Sequence, residues 1–307
     1  MKWMQKFSTC SLLASVTILI CSSCKKLPLL TLLTHKSLNF PSASAIAFHN
    51  NRLYVLGDNA PYLLMLSADY TELGRIPYWH GTDTIIPKNE KPDIESAVVL
   101  DKDGEAVLAG IGSMSSPQRW SVVEFNLNHA SVTISRYFNQ QTTFNGVEEI
   151  NIEGAASVGE TMVFANRANL KTKNNHLIFW NRKDKALAKE IVLPVTTGIA
   201  GVSGLHYIPE KDLLLFTASE ENTENALDDG EIGTSYLGWI EDFSKKTGRA
   251  GLTADGFLDL PATDKRFLHQ KIESVCLEKI SGNVLRLHLS ADNDNGRSEL
   301  FTVDLRL

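Results

Sequence analysis

After about residue 30 the chain consists of short apolar stretches separated by polar turns. Residues 44–66 (SAIAFHNNRLYVLGDNAPYLLML) show the pattern clearly. The stretches are rich in β-branched and aromatic residues, and the turns carry Asn-Asn, Lys-Asp-Gly and Ser-Gly-Asn. Such stretches bounded by turn residues are typical of β-strands, and no long apolar period near 3.6 residues appears. The pattern predicts an all-β protein.

This strand-turn-strand unit recurs five times, starting at residues 44, 95, 153, 203 and 273. A third strand follows in each copy, and a fourth strand follows in the first four copies. A repeat of this length with four strands is typical of a β-propeller. We therefore predict a single β-propeller with five blades of four antiparallel strands. Six blades are the alternative, if residues 128–150 or 222–235 contain a divergent blade.

The fifth copy reaches residue 307 without a fourth strand. Residues 27–40 (LPLLTLLTHKSLNF) precede the first copy and have no partner in it. We predict that this segment supplies the missing outer strand of the fifth blade. Such closure removes open sheet edges, which would otherwise invite aggregation.

Residues 1–23 have the pattern of a secretory signal peptide. Lys2 and Lys6 precede a short apolar run, and small residues follow it. The run is about half of the ~20 residues that cross a bilayer. Ser22-Ser23-Cys24 resembles the end of a bacterial lipobox, in which the cysteine is lipidated, and the alternative is an ordinary signal peptide cut nearby. We predict a lipoprotein signal peptide at 1–23 and a propeller domain at 24–307, anchored through Cys24 in the bacterial cell envelope, facing the periplasm or on the outer-membrane surface.

Charge and cysteine content narrow the range of partners. The whole chain has a net charge of −6, and loss of Lys2 and Lys6 leaves 28 basic and 36 acidic residues, or −8. That balance argues against nucleic acid as a partner. Cys276 is the one cysteine that follows Cys24. Its apolar strand setting predicts an inert core residue, since nucleophilic cysteines need an exposed, electropositive environment.

One motif places an acid where a buried strand begins. PDIESAVVL, NIEGAASV and KIESVCLE each read Ile-Glu-small-apolar, with Glu95, Glu153 and Glu273 at the second position. An unpaired buried carboxylate is costly, so three copies require a common explanation. In a propeller the first strand of each blade lines the central channel, and its start lies beside the end of the second strand. We therefore predict that the three glutamates meet at one mouth of the channel.

Other side chains are predicted at the same mouth. Serines occupy the position of the glutamate in the two remaining copies, at Ser44 and Ser203. The ends of the second strands contribute Asp58, Arg167, Glu220 and Asp292.

Three carboxylates in one narrow channel repel each other unless something compensates them, and three alternatives follow. A Ca²⁺ ion, which takes six to eight oxygen ligands, would use Glu95, Glu153 and Glu273. Alternatively, Arg167, Arg119, Lys91 and Lys271 would form a ring of ion pairs with the acids. The third alternative is direct recognition of a substrate.

The strand-opening Ile-Glu motif, with an acid after the next strand, resembles that of phytase-like and esterase-like propellers of exported bacterial proteins. The stretches SASAIAFHNNRLYVLGDNAPYLLML, KPDIESAVVL, NIEGAA and SELFTVDL look like an uncharacterised family of bacterial propeller proteins, often lipoproteins. The resemblance implies a calcium ion near Glu95, Glu153 and Glu273, although Ser44 and Ser203 depart from a full acidic ring. The dense acidic clusters of a calcium-dependent phytase are not evident, which argues against phytate as substrate.

Two classes of function follow from the sequence. The first is a calcium-dependent hydrolase of esters, lactones or phosphoesters, in which one of the three glutamates acts as the base. The second is a non-catalytic module that presents a propeller face to an envelope protein. The partners would be the membrane, through the anchor, and an unknown small molecule or envelope protein.

Overall fold

The structure is a computed structural model. It describes residues 28–138, 144, 147, 149–183, 187–193, 199–221, 231–247, 251–293 and 296–307. The predicted signal peptide and Cys24 lie outside the described residues.

Within those ranges, twenty strands form five four-stranded antiparallel sheets. We number the strands along the chain, so that the N-terminal strand β1, which belongs to blade 5, comes first. Blade 1 contains β2 (Ala45–His49), β3 (Arg52–Leu56), β4 (Tyr62–Ser67) and β5 (Glu72–Pro77). Blade 2 contains β6 (Ile94–Lys102), β7 (Glu105–Gly112), β8 (Val122–Asn126) and β9 (Val132–Ser135). Blade 3 contains β10 (Ile152–Val158), β11 (Thr161–Asn166), β12 (Asn175–Asn181) and β13 (Leu187–Leu193).

The last two blades differ from the others in their outer parts. Blade 4 contains β14 (Ala200–Ile208), β15 (Leu213–Glu221), β16 (Ile232–Ile240) and β17 (Gly256–Asp259). Two one-turn helices flank β17, α1 (Phe243–Lys246) and α2 (Leu260–Thr263). Blade 5 contains β18 (Ile272–Ser281), β19 (Val284–Asp292), β20 (Ser298–Arg306) and β1 (Leu29–Leu38). Short 3₁₀ turns lie at Pro117–Arg119, Pro209–Lys211 and Lys265–Phe267.

The five first strands form the inner ring of the molecule. Each packs against the first strand of the next blade, in the order β2, β6, β10, β14, β18 and back to β2. The N-terminal strand β1 pairs antiparallel with β20, with Leu29 opposite Arg306 and Leu38 opposite Ser298. The chain therefore closes its own ring by adding β1 to the edge of the C-terminal sheet. The prediction of five blades closed by the N-terminal segment is confirmed, and the six-blade alternative is wrong.

The hydrophobic core lies between the blades. Five clusters of buried apolar side chains fill the five interfaces, including the one between blades 5 and 1. Trp120 and Trp180, for example, belong to the cluster between blades 2 and 3. Cys276 is fully buried in the cluster between blades 5 and 1, and burial raises the pKa of its thiol well above the ordinary range. Each blade is thus stabilised mainly by the apolar surface that it buries against its two neighbours.

None of the helices among the described residues has the length and apolar character needed to cross a membrane.

Candidate functional site

The Ile-Glu-small motif forms a β-bulge. In β6 the pairing with β7 passes from Ile94 directly to Ser96, so that Glu95 has no partner in the ladder. The same skip leaves Glu153 unpaired in β10 and Glu273 unpaired in β18. In β14 the skipped residue is Ser203. A bulge breaks the alternation of side chains and turns the extra residue to a new direction.

The bulges lie beside a cavity of about 490 Å³ at one mouth of the channel, which we call the channel-mouth cavity. Its walls are strongly charged. The carboxylates that line it are Asp58, Asp93, Glu95, Glu153, Glu221, Glu273 and Asp292. The cationic side chains that line it are Lys88, Lys91, Arg119, Arg167 and Lys271. The described lining therefore has two more acidic than basic groups.

A first chain of ion pairs crosses blades 1 and 2. Lys91 Nζ contacts Asp58 Oδ2 and lies 2.7 Å from Asp93 Oδ1. Arg119 Nη1 lies 2.9 Å from Asp93 Oδ2, which also accepts a hydrogen bond from Ser113 Oγ. Both oxygens of Asp93 are therefore occupied by donors.

A second chain of ion pairs crosses blades 3, 4 and 5. Arg167 lies 3.2 Å from Glu153 Oε2 and 2.7 Å from Glu221 Oε2. Lys271 Nζ lies 3.3 Å from Glu221 Oε2 and 3.2 Å from Glu273 Oε1. Asn151 Nδ2 donates to Glu153 Oε1 at 2.7 Å. Each cation in this chain spans two carboxylates from different strands.

Glu95 lies close to the acids of the first chain but is a member of neither chain. Among the described residues it forms no hydrogen bond and no ion pair, and its side chain is only partly shielded from the cavity. Burial raises the pKa of Glu95 well above its ordinary value, and the negative charges of Asp93, Glu153, Glu273 and Asp58 raise it further. Glu95 therefore lines the cavity without an ion pair among the described residues, although its charge interacts with that of Lys91 from beyond ion-pair distance.

The pKa values of the other groups follow from the same arrangement. Burial raises the pKa of Glu273, Lys271 opposes that rise, and Asp292 adds to it. Burial alone would lower the pKa of Lys91 and of Arg167, but their carboxylate partners reverse the effect and raise both. The neighbouring carboxylates thus favour the charged forms of Lys91 and Arg167.

Most of the predicted mouth residues line the cavity, and two do not. Ser44, Asp58, Arg167 and Asp292 line it together with the three bulge glutamates. Ser203 is fully buried, and its hydroxyl donates to Ile272 O at 2.6 Å.

Glu220 accepts hydrogen bonds from Tyr236 Oη and Thr234 N rather than reaching the cavity. Its place in the cavity wall is taken by Glu221. The pairing of β15 with β16 skips from Ser219 to Glu221, which sets the position of Glu221. In the sequence, the only indication that Glu221 belongs to the site is its position next to Glu220. The only indication for Asp93 is its position just before the Ile-Glu motif.

The tightest group of carboxylates is not the predicted triad. One oxygen from each of Asp58, Asp93 and Glu95 lies within 4.8 Å of the other two, whereas Glu95, Glu153 and Glu273 form no such group among the described residues. The ammonium group of Lys91 already contacts two of these three acids. As arranged, the donors hold a lysine rather than six to eight oxygen ligands around Ca²⁺.

Fold and site together define a five-bladed propeller with a charged cavity at the mouth of its channel. The chain belongs to a family of unknown function, DUF6929, whose model matches residues 39–305. No curated protein shows significant sequence similarity to it.

Comparison with solved structures finds similarity at low sequence identity. Glutaminyl cyclase from Myxococcus xanthus is 11% identical, with a TM-score of 0.52 over 91% of this chain and 97% of that one. A member of the DUF4221 family from Bacteroides vulgatus is also 11% identical, with a TM-score of 0.39 over 91% of this chain and 98% of that one. At this identity the similarity to the cyclase concerns the fold alone.

Proposed function

We propose that this protein is a hydrolase that acts on a small ester or lactone in the channel-mouth cavity, with Glu95 as the general base. One observation carries the proposal: Glu95 is a carboxyl group without an ion pair or a hydrogen bond among the described residues, and it faces a cavity of about 490 Å³. A general base needs a free lone pair within reach of the substrate, which the paired acids around it lack.

The environment of Glu95 suits proton transfer. A base works best when its pKa lies near the working pH, and burial together with four neighbouring carboxylates raises the pKa of Glu95 from the ordinary value. In the proposed step Glu95 accepts a proton from a water molecule as that water attacks the carbonyl carbon. The group then returns the proton to the leaving oxygen.

Lys91 supports the same step through its charge. Its ammonium group contacts Asp58 and Asp93, which share with Glu95 the tight carboxylate group described above. A fixed positive charge near the reacting carbonyl stabilises the oxyanion that develops on it. Esters and lactones develop such an oxyanion without bringing a charge of their own.

Phosphoesters fit this cavity less well than uncharged esters. Seven carboxylates and five cationic groups line its walls, and four of the cations are already paired with these acids. A phosphate group would therefore meet more acidic than basic groups in the described lining. This supports esters and lactones from the predicted range of substrates.

A calcium-assisted form of the reaction would require Lys91 to leave Asp58 and Asp93. We therefore derive no step through a metal. Calorimetric titration of the protein with CaCl₂ tests the alternative: saturable binding that is lost in Glu95→Gln would favour a metal at Asp58, Asp93 and Glu95.

Hydrolysis of a panel of chromogenic esters, lactones and phosphoesters tests the proposal. We expect turnover of esters or lactones and a loss of about 10²–10⁴-fold in kcat for Glu95→Gln, which is the usual contribution of general base catalysis. Glu72→Gln is the matched control, because Glu72 lies on the outer strand β5 and pairs with Arg75 outside the cavity. Equal kcat values for both variants, or no turnover of any substrate, would exclude the hydrolase.

The non-catalytic alternative, a binding module of the envelope, would need an apolar docking surface. The exposed large apolar side chains of the described residues are spread over three outer strands and three loops. They are Leu29, Leu33, Leu73, Ile85, Ile134, Leu170 and Leu268. This distribution does not favour one docking face. The binding module is the function that remains if the panel shows no turnover.

We also propose that Cys24 carries the lipid anchor of the mature protein in the cell envelope. The lipobox-like Ser22-Ser23-Cys24 supports this. Metabolic labelling with a radioactive fatty acid should mark the wild-type protein and not a Cys24→Ala variant. Labelling of both would exclude Cys24 as the lipidation site.

A further inference from the structure

Three of the five cations that line the channel-mouth cavity each lie between two carboxylates. Lys91 lies between Asp58 and Asp93. Arg167 lies between Glu153 and Glu221, at 3.2 and 2.7 Å.

The third cation of the series, Lys271, lies between Glu221 and Glu273, at 3.3 and 3.2 Å. In each case, donors on one positive group contact two acids that lie in or next to strands of different blades. This is the arrangement by which buried charges are usually compensated.

Glu95 does not take part in this arrangement. The negative charges of Asp93, Glu153 and Glu273 act on it, yet among the described residues no cation forms an ion pair with it. The acids whose charges act on Glu95 include Asp93 of the first chain and Glu153 and Glu273 of the second chain. The arrangement among the described residues therefore lacks a paired positive group at Glu95.

A second observation points to a donor that the described residues do not supply. Glu273 is 3% exposed and lines the cavity, and its Oε2 is buried without a hydrogen-bond partner among the described residues. Asp58 Oδ1 is a further buried acceptor of this kind in the same lining. Such unsatisfied acceptors are costly, so a ligand that donates to them gains binding free energy.

We propose that the cavity takes a ligand with a primary ammonium group, which binds Glu95 and donates toward the unsatisfied oxygen of Glu273. This names the substrate class of the same cavity and in that respect rests on the proposed function. The substrate would then be an ester or lactone that also carries an amine: its ammonium group would bind one carboxylate oxygen of Glu95, and the other oxygen would stay free to accept the proton of the attacking water.

A primary ammonium fits the lining better than other cations do. The protein itself places the ammonium groups of Lys91 and Lys271 between pairs of these carboxylates. The described lining contains no Phe, Tyr or Trp, so it lacks the aromatic faces that bind quaternary ammonium ions. A quaternary ion also has no N–H to donate to Glu273.

One wall of the cavity is apolar and can accept the carbon skeleton of such a ligand. Ile85, Ile86 and Pro87 belong to the lining, and the side chain of Ile85 is 47% exposed. The backbone of this wall is held in place because Ile86 N donates to Asn59 O at 2.7 Å. An amine with a short alkyl segment would thus have its charge at Glu95 and its carbon atoms near Ile85.

Calorimetric titration of the mature protein with n-butylammonium, n-butyltrimethylammonium and CaCl₂ tests this inference directly. We expect n-butylammonium to bind at least tenfold more tightly than the trimethyl analogue. Glu95→Gln should weaken that binding at least tenfold, while Glu72→Gln should leave it unchanged. Equal binding of the two amines, or no effect of Glu95→Gln, would overturn the proposal, and so would saturable binding of CaCl₂ with none of the amine.

The natural amine can come from a free small molecule or from the N-terminus of a peptide. A tripeptide with a free N-terminus and its N-acetylated form distinguish the two. Binding of the free tripeptide alone indicates a peptide, and binding of n-butylammonium without either tripeptide indicates a small molecule; both results support the ammonium site.

Two results would distinguish the ammonium site from the hydrolase activity. Binding of n-butylammonium that depends on Glu95, without hydrolysis of any ester, would keep the ammonium site and exclude the hydrolase. Hydrolysis that depends on Glu95, without binding or inhibition by n-butylammonium, would keep the hydrolase and overturn the ammonium site.

Discussion

The guanidinium of Arg167 joins two blades, since it contacts Glu153 of blade 3 at 3.2 Å and Glu221 of blade 4 at 2.7 Å. All three side chains are at most 9% exposed. When one partner of a buried ion pair is removed, the other charge stays buried without compensation. The contact therefore couples the charge balance of the cavity to the packing of two blades.

Arg167→Met should lower the free energy of unfolding by about 3–5 kcal/mol, because it leaves two buried carboxylates without their cation. Urea denaturation measures this. Arg75→Met is the control, since Arg75 pairs with Glu72 on the surface and such pairs contribute at most about 1 kcal/mol. Equal losses in the two variants would contradict the assignment of Arg167 as a buried bridge.

Glu95→Gln should raise the melting temperature more at pH 8 than at pH 5. The folded protein holds the proton of Glu95 to a higher pH than the unfolded chain, whose carboxyl titrates near 4.5. The contribution of Glu95 to stability is thus favourable at low pH and is lost as the pH rises from 4.5 through the raised pKa. Glutamine does not ionise, so the variant does not lose this stability at high pH. Melting curves at both pH values measure the difference in melting temperature.

Glu72→Gln should change the melting temperature in the opposite direction in the same experiment. Its hydrogen bond with Arg75 lowers the pKa of Glu72, so the charged form favours folding at pH 8. This variant should melt slightly below the wild type at pH 8. A shift of Glu95→Gln that does not grow with pH would show that Glu95 is compensated in solution.

His288 should make the protein less stable as the pH falls. Its ring is fully buried, with Tyr70 Oη 2.9 Å from Nδ1 and Glu278 Oε2 3.3 Å from Nε2. Burial lowers the pKa of His288 from 6.5 to about 4, although Glu278 opposes this and Arg286 adds to it. The stability that this histidine contributes is complete above pH 6.5 and is lost as the pH falls toward 4.

His288→Gln should therefore flatten the dependence of unfolding free energy on pH between 6.5 and 4. The one proton that His288 binds on unfolding changes the unfolding free energy by at most about 1.4 kcal/mol per pH unit. His206 also has a pKa lowered by burial to about 4, so part of the dependence should persist in the variant. Curves for wild type and variant that run parallel would show that His288 does not titrate on unfolding.

Gly154→Ala should destabilise the protein by about 1–3 kcal/mol, the usual cost of overpacking. An added Cβ would lie 2.8 Å from Leu205 Cγ and 3.0 Å from backbone atoms of the neighbouring blade. Gly251→Ala is the matched control, because no atom lies within 4 Å of its added Cβ. Urea denaturation of both variants should separate them, and equal stabilities would mean that β10 and β14 can move apart without cost.

The architecture was predictable because it depends on local patterns that repeat. Each blade needs apolar strands separated by turns, and five copies of that pattern specify five sheets. The closing strand β1 was also predictable, since an apolar segment without a partner precedes a last copy that lacks one strand. The three glutamates of the Ile-Glu motif could be assigned to the channel mouth for the same reason, because the repeat puts them at equivalent positions.

The details of the site depend on departures from those patterns. Alternation along a strand predicts which way a side chain points only while the register is regular. The bulges at Glu95, Glu153 and Glu273 break that register, and the skip before Glu221 brings this residue, rather than Glu220, to the cavity.

The sequence by itself determined the blades, their closure and the convergence of the acids, because strand patterns and turns are encoded locally. Only the tertiary structure decided which acid lacks a cation. Lys91 and Arg119 form ion pairs with Asp93, and Arg167 and Lys271 form ion pairs with acids of three strands. Glu95 forms no ion pair among the described residues. Such pairing depends on distances between blades that are far apart in the chain, and no local pattern records them.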